Sequence, residues 1–215
     1  MNTNPYKNTI GITGIIGSGK STISDLLEKK GAFVIRADIL AARVLEAGYE
    51  NSESVKNRIS ELLQSHEKAD QVDLVFLPSG INRKLLGEII FADEVMTKKL
   101  GQIIHPEVRR LFEKQVSSPD ARGKIIIYDI PLLFETGLHR FMKCNVVVYS
   151  PEDVAVERAS KRLGISPGEV KKRLNRQISI EKKITMADYV LDNSGGRDQL
   201  QEEVEKLWRY LQEKK

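Results

Sequence analysis

The sequence predicts an α/β fold, a five-stranded parallel sheet flanked by helices, interrupted by one long helical insertion and one short one. Three observations carry that reading. Five short apolar segments rich in β-branched residues are spaced along the chain, helical patterns lie between or after them, and the long interval 39–122 offers mostly helical signals. Strands alternating with helices imply a parallel sheet covered on both faces. A chain of 215 residues, 40% of them hydrophobic, can also bury a sizeable core, which excludes a disordered tail or a disulfide-stapled miniprotein.

The elements follow in order. Thr9 to Thr13 predicts the first strand; a glycine-rich turn leads to a helix from Lys20 to Lys30, closed by Gly31. Ala32 to Arg36 predicts the second strand. The insertion then opens with a helix from Ile39 to Glu46 closed by Gly48, has a polar break from Gln64 to Asp73, and starts another helix at Asn82. Lys124 to Asp129 and Cys144 to Tyr149 predict the third and fourth strands, the latter followed by a helix from Pro151 to Leu163 with Gly164 as its stop. Pro167 to Glu181 reads as the small helical insertion, Asp188 to Asp192 as the fifth strand, and Asp198 to Leu211 as the last helix. These limits divide the chain into a core of 8–38, 123–157 and 184–213, an insertion of 39–122, and a small helical segment of 158–183.

Charge narrows the function class. The net charge of +4 is not spread out: nine basic residues against Glu169 and Glu181 between Arg158 and Lys183 give that segment +7 and leave the rest at −3. One concentrated basic segment suits a compact polyanion, or is simply a solvated helix face; a nucleic-acid backbone would favour a broad basic face. The expectation is therefore no nucleic-acid partner. The longest uncharged stretch, Asn8 to Gly19, is too short for a membrane span and lacks the pattern of a secretory signal, which points to a cytoplasmic protein with no membrane partner. The single cysteine, Cys144, sits in an apolar run and reads as a buried thiol. No signal for oligomeric state is present.

The strongest motif is Gly14-Ile15-Ile16-Gly17-Ser18-Gly19-Lys20-Ser21, a full G-x-x-x-x-G-K-[ST] match between the first strand and the first helix. Its glycines allow backbone N–H groups to turn around an anion, and the helix that follows directs its positive end to the same place. Lys20, read as an exposed loop lysine, adds a charge for the terminal phosphates, and Ser21 is the candidate Mg²⁺ ligand. Gly14, Gly17, Ser18, Gly19 and Thr22 are the further candidate nucleotide-binding residues of this turn. The fold class is then the P-loop NTPase fold, and the ligands it calls for are a nucleoside triphosphate and Mg²⁺. The loop alone does not choose between kinase, ATPase and GTPase.

Asp38 follows the second strand, so its carboxylate belongs at the carboxyl edge of the sheet, where open α/β folds bind ligands. There it either accepts the proton of an acceptor hydroxyl or merely caps the helix beginning at Ile39. Asp129, ending the third strand, stands as a carboxylate near Mg²⁺ or as the alternative base.

Five blocks now spell more than a motif: ITGIIGSGKST (Ile12 to Thr22), RADILAARVLEAG (Arg36 to Gly48), INRKLLGEIIFAD (Ile81 to Asp93) with IIHPEVR (Ile103 to Arg109), YDIPLLFETG (Tyr128 to Gly137) and ADYVLDNSG (Ala187 to Gly195). In this order they resemble the dephospho-coenzyme A kinases from about Ile10 to Leu207. The resemblance implies transfer of the γ-phosphoryl group of ATP to the ribose 3′-hydroxyl of dephospho-coenzyme A, with Asp38 as base. It implies that 39–122 binds the acceptor and that 158–183 is a lid over the nucleotide, with Arg162 and Arg173 directed at it. Arg83, His105 and Arg109 match family positions facing the acceptor, while Gln177 and Asn193 match positions near lid and nucleotide. His105 reads equally as a helix-entry residue ahead of Pro106.

Three departures stand out. Arg36-Ala37-Asp38 replaces the family's usual Asp-Ala-Asp, Ile15 replaces a common glycine, and Leu77-Pro78-Ser79-Gly80 replaces a more acidic turn. The rival readings are a nucleoside monophosphate kinase and a nucleotide-switch ATPase, although the Asn/Thr-Lys-x-Asp base-reading motif of GTPase switches is missing.

Overall fold

The computed structural model describes residues 4–64, 72–90 and 93–214. Most of the expected polar break, 65–71, lies outside the described residues. In chain order the elements are β1 (Thr9–Gly14), α1 (Lys20–Lys29), β2 (Phe33–Arg36), α2 (Ala37–Val44), α3 (Ser52–Gln64), α4 (Val72–Val75), β3 (Phe76–Leu77), β4 (Gly80–Ile81), α5 (Arg83–Ile90) and α6 (Glu94–Val116). There follow β5 (Ile126–Asp129), β6 (Cys144–Tyr149), α7 (Glu152–Leu163), α8 (Pro167–Leu174), α9 (Ile180–Thr185), β7 (Tyr189–Asp192) and α10 (Arg197–Glu213). The chain divides into two compact units, Met1–Arg36 with Val116–Lys215, and Ala37–Gln115.

In the first unit five strands pair in the order β2-β5-β1-β6-β7, every neighbouring pair parallel. Strand β1 is central and buried along its whole length, as a strand must be when it is paired on both edges and covered on both faces. One face carries α1 and α10, through Ile23, Leu27, Val204, Leu207 and Leu211 packed on Ile10, Ile12, Val146 and Val148. The opposite face carries α7, α8 and α9, through Ala155, Val156, Val170, Leu174 and Ile180 around Val147. The alternation of Val146, Val147 and Val148 between two cores is the period of two that a strand requires.

Helix limits follow their signals. Gly164 ends α7 in the left-handed conformation, φ 64°, and its N–H donates to Ser160 O. Ser166 and Glu169 form a reciprocal capping box at the start of α8, with Pro167 in its first turn. Cys144 is buried and reduced, and burial pushes its thiol pKa up, so it is an inert packing group.

Among the described residues the second unit is helical apart from a hairpin of two-residue strands, β3 to β4, which the sequence reading does not anticipate. Pro78 and Ser79 make its turn. Gly80 has φ 127°, and a Cβ there would lie 2.5 Å from Leu45 O, so only glycine admits the close bridge to Glu46. Asn82 starts α5 by accepting the Leu85 N–H at 3.2 Å, and Asp93 starts α6 by accepting the Met96 N–H at 3.1 Å.

Pro106 corrects one expectation. It lies inside α6, so His105 is a mid-helix residue and the helix-entry reading fails. A proline has no N–H for the carbonyl four residues back, here that of Gln102. Arg58 on α3 donates to that oxygen at 3.4 Å, which ties α3 to the interrupted turn. One turn beyond, Glu107 accepts hydrogen bonds from Tyr49, Asn51 and Arg110. Burial alone would raise the Glu107 carboxyl; the three donors outweigh it and hold the pKa below its ordinary value. That network fastens the loop between α2 and α3 to α6.

Candidate active site

The turn between β1 and α1 is built by glycines at Gly17, φ 84°, and Gly19, φ 91°. Space demands them as much as conformation: a Cβ on Gly17 would lie 1.9 Å from Ala155 O, and one on Gly19 2.1 Å from Asn193 Nδ2. Gly14 is equally crowded, since a Cβ there would meet Ser18 Oγ at 2.4 Å. Ile15 needs no left-handed backbone, because among the described residues every positive φ belongs to glycine. It is buried in the cluster beneath α7 instead, which explains why a branched residue is accommodated in this loop.

Side chains from distant elements hold the loop. Asn193, just after β7, donates to Ser18 O at 2.7 Å, and Arg158 on α7 donates to Asn193 O at 2.9 Å. Gln177 accepts the Ile16 N–H at 3.1 Å. Lys20, the first residue of α1, is paired with Asp129 at the end of β5. Asp129 is 3% exposed and takes a second hydrogen bond from Ser24 Oγ at 2.8 Å. Lys20 is therefore not the exposed loop lysine that the sequence suggests, because its side chain is only 13% exposed. Ser21 and Thr22 are exposed on the opening turn of α1.

The departure at Arg36 has a structural account. Its guanidinium bonds Asp25 Oδ1 at 2.6 Å and Glu28 Oε2 at 2.8 Å, both on α1. The hydrogen bond that Arg36 donates to Glu28 contributes most to raising its pKa above its ordinary value. This position thus supplies no second carboxylate beside Asp38. Asp38 itself is exposed in the first turn of α2, accepting the Ile39 N–H at 2.9 Å. Since α2 begins at Ala37, Asp38 lies inside the helix and not before it.

Among the predicted residues, Gly14, Gly17, Ser18, Gly19, Lys20, Asp129 and Asn193 come together in the first unit. Arg162 and Arg173 belong to the same unit, both exposed, near the ends of α7 and α8. The segment expected as a lid is docked through buried Val170, Leu174 and Ile180. Asp38, Arg83, His105 and Arg109 belong to the helical unit. Arg83 begins α5, Arg109 pairs with Glu113 at 2.8 Å, and Gly101 leaves room for the His105 ring one turn away.

Ser24 is the residue that sequence reading misses. Its signal was a hydroxyl on the face of α1 that carries Ile23 and Leu27, where a polar side chain needs a partner. Among the described residues no three His, Cys, Asp or Glu side chains converge as a metal cage. The exposed Ser21 hydroxyl is a hard oxygen donor of the kind that suits Mg²⁺, an ion that keeps waters and leans on substrate phosphates.

A family model for the dephospho-CoA kinases matches residues 8–199. The chain belongs to the dephospho-CoA kinase family. It is 36% identical over 204 residues to the dephospho-CoA kinase of Thermobifida fusca, covering 94% of this chain and 96% of that one. The relative from Staphylococcus epidermidis is also 36% identical, over 92% of both chains. A crystal structure from Thermus thermophilus superposes with TM-score 0.78 at 31% identity, covering 96% of this chain and 98% of the other. The dephospho-CoA kinase of Campylobacter jejuni gives TM-score 0.67 at 27% identity with the same coverage. Every block that carried the sequence resemblance lies within the matched residues of this dephospho-CoA kinase family member.

Proposed function

We propose that the protein transfers the γ-phosphoryl group of ATP to the ribose 3′-hydroxyl of dephospho-CoA, yielding CoA and ADP. Family membership over nearly the whole chain carries this reading, and the phosphate loop supplies its chemistry. Neither rival, a nucleoside monophosphate kinase or a switch ATPase, is favoured.

The residues divide the work by charge. Backbone N–H groups of the Gly17 to Ser21 turn and the N-terminus of α1 hold the phosphates. Lys20 exchanges Asp129 for the terminal phosphates when nucleotide enters, and Asp129 with Ser24 keeps the vacated position polar and hydrogen-bonded. Mg²⁺, held by Ser21 and phosphate oxygens with Asp129 nearby, would neutralise charge on the β- and γ-phosphates. Asp38 accepts the hydroxyl proton, Arg83, His105 and Arg109 bind the acceptor, and Arg162 and Arg173 stabilise the charge that spreads over the transferring group. The setting is the cytoplasm.

Two experiments test these assignments. In a coupled ADP-release assay, dephospho-CoA should support turnover while AMP, CMP, GMP and water support little; release with water alone would favour the switch ATPase. Arg162→Lys should cost about tenfold or more in kcat, because lysine keeps the charge and loses the planar fork. If Arg162→Lys and Arg173→Lys both left turnover and nucleotide affinity intact, the lid assignment would be wrong.

A further inference from the structure

One cation of the basic segment faces inward. Lys183, on α9, is fully buried, and its ammonium pairs with Glu135 Oε1 at 2.8 Å and reaches Pro131 O at 3.5 Å. Glu135 and Pro131 belong to the stretch that follows β5, immediately after Asp129. The same Glu135 oxygen accepts the Ile178 N–H at 2.9 Å. The residue before Ile178 is Gln177, whose side chain accepts the Ile16 N–H of the phosphate loop at 3.1 Å. Pro131 O also accepts from Thr13 Oγ1, on β1, at 3.1 Å. The connection between α8 and α9 is therefore gripped twice, by its side chain on the phosphate loop and by its backbone on the carboxylate.

Stability is a poor reason for such an arrangement. Removing two charges from water cancels most or all of their attraction, and apolar side chains of similar volume often serve a fold as well or better. Here the cost is higher still, because Glu135 Oε2 is buried with no hydrogen-bond partner among the described residues. What an ion pair provides and an apolar contact does not is direction: Nζ and two acceptor oxygens fix where the chain passes.

We propose that Glu135 and Lys183 are positioning residues for phosphoryl transfer, pinning residues 175–179 to the phosphate loop so that α8 presents Arg173, and α7 before it Arg162, in one geometry. The proposal rests on the reading of 158–183 as the arginine-bearing lid. It places the fixed end of that segment at 175–179.

The test is the doubly neutral variant Glu135→Gln/Lys183→Met, which keeps an acceptor for Ile178 and removes both buried charges. It should melt close to the wild type and bind ADP within about threefold, yet turn over about tenfold or more slowly at saturating ATP and dephospho-CoA, because small misplacements of reacting groups are costly. Glu135→Asp provides a second check in which the charges stay paired. Its shorter arm cannot serve both Lys183 and Ile178, so it should fold and lose at least about fivefold in kcat with the KM for ATP little changed. Turnover within twofold of wild type in either folded variant would overturn the proposal, and so would a loss in ADP affinity as large as the loss in kcat. A fast double variant beside a slow Arg162→Lys would remove the positioning role alone; fast turnover in both would remove the lid reading with it.

Discussion

Replacing Lys20 by alanine should lower turnover about 10²–10³-fold at saturating ATP, the cost of losing one charge aimed at the developing phosphoryl charge. The structure adds a second consequence. Lys20 neutralises a carboxylate that is 3% exposed, so the variant leaves the buried Asp129 hydrogen-bonded to Ser24 but without its countercharge. Stranding half of a buried pair costs roughly 3 kcal/mol, which should appear as a lowered melting temperature. Lys20→Ala/Asp129→Asn should recover most of that stability and none of the turnover. The two effects thereby separate into charge balance at the end of β5 and catalysis at the phosphates. Near-wild-type turnover in Lys20→Ala would contradict the phosphate-loop assignment; unchanged melting would contradict the role given to the Lys20–Asp129 pair.

Asp38→Asn should lower kcat by about 10²–10⁴-fold, equivalent to about 3–5 kcal/mol of transition-state stabilisation. Stability should not move, because Asp38 is exposed and an asparagine oxygen can still accept the Ile39 N–H. The prediction is sharper than sequence alone allows. Arg36 is committed to Asp25 and Glu28, so no neighbouring carboxylate at that position can take over the proton. Unchanged kcat with lowered stability would instead make Asp38 a helix-terminus residue and pass the role of base to Asp129.

Local signals in the sequence located the strands well, for a physical reason. A central parallel strand such as Thr9–Gly14 is buried on both faces, and that leaves a short run rich in β-branched residues bounded by turn signals. Gly164 likewise marks the end of α7 because its role depends on nearest neighbours. The failures come from long-range partners or from elements too short to carry a pattern. Pro106 reads locally as a helix start, but Arg58 from another helix supplies the donor that its ring lacks. Phe76–Leu77 and Gly80–Ile81 are too short to show a period of two. In the site, the glycines and Lys20 were legible from spacing, whereas the pairing of Lys20 with Asp129 and the burial of Lys183 against Glu135 depend on which elements the sheet order makes neighbours. A lysine between Ile180 and Ile184 on the apolar side of α9 was the available hint.

The central claim is acceptor identity, and the ratio of kcat/KM for dephospho-CoA to that for AMP tests it most directly. Contacts with the non-reacting pantetheine arm can be used to orient the 3′-hydroxyl, so the adenosine end alone should lose kcat as well as affinity. The expected ratio is about a hundredfold or more in favour of dephospho-CoA, with the lower kcat accounting for part of it. Equal values, or a preference for AMP, would contradict the assignment of acceptor while leaving a phosphate-loop kinase in place.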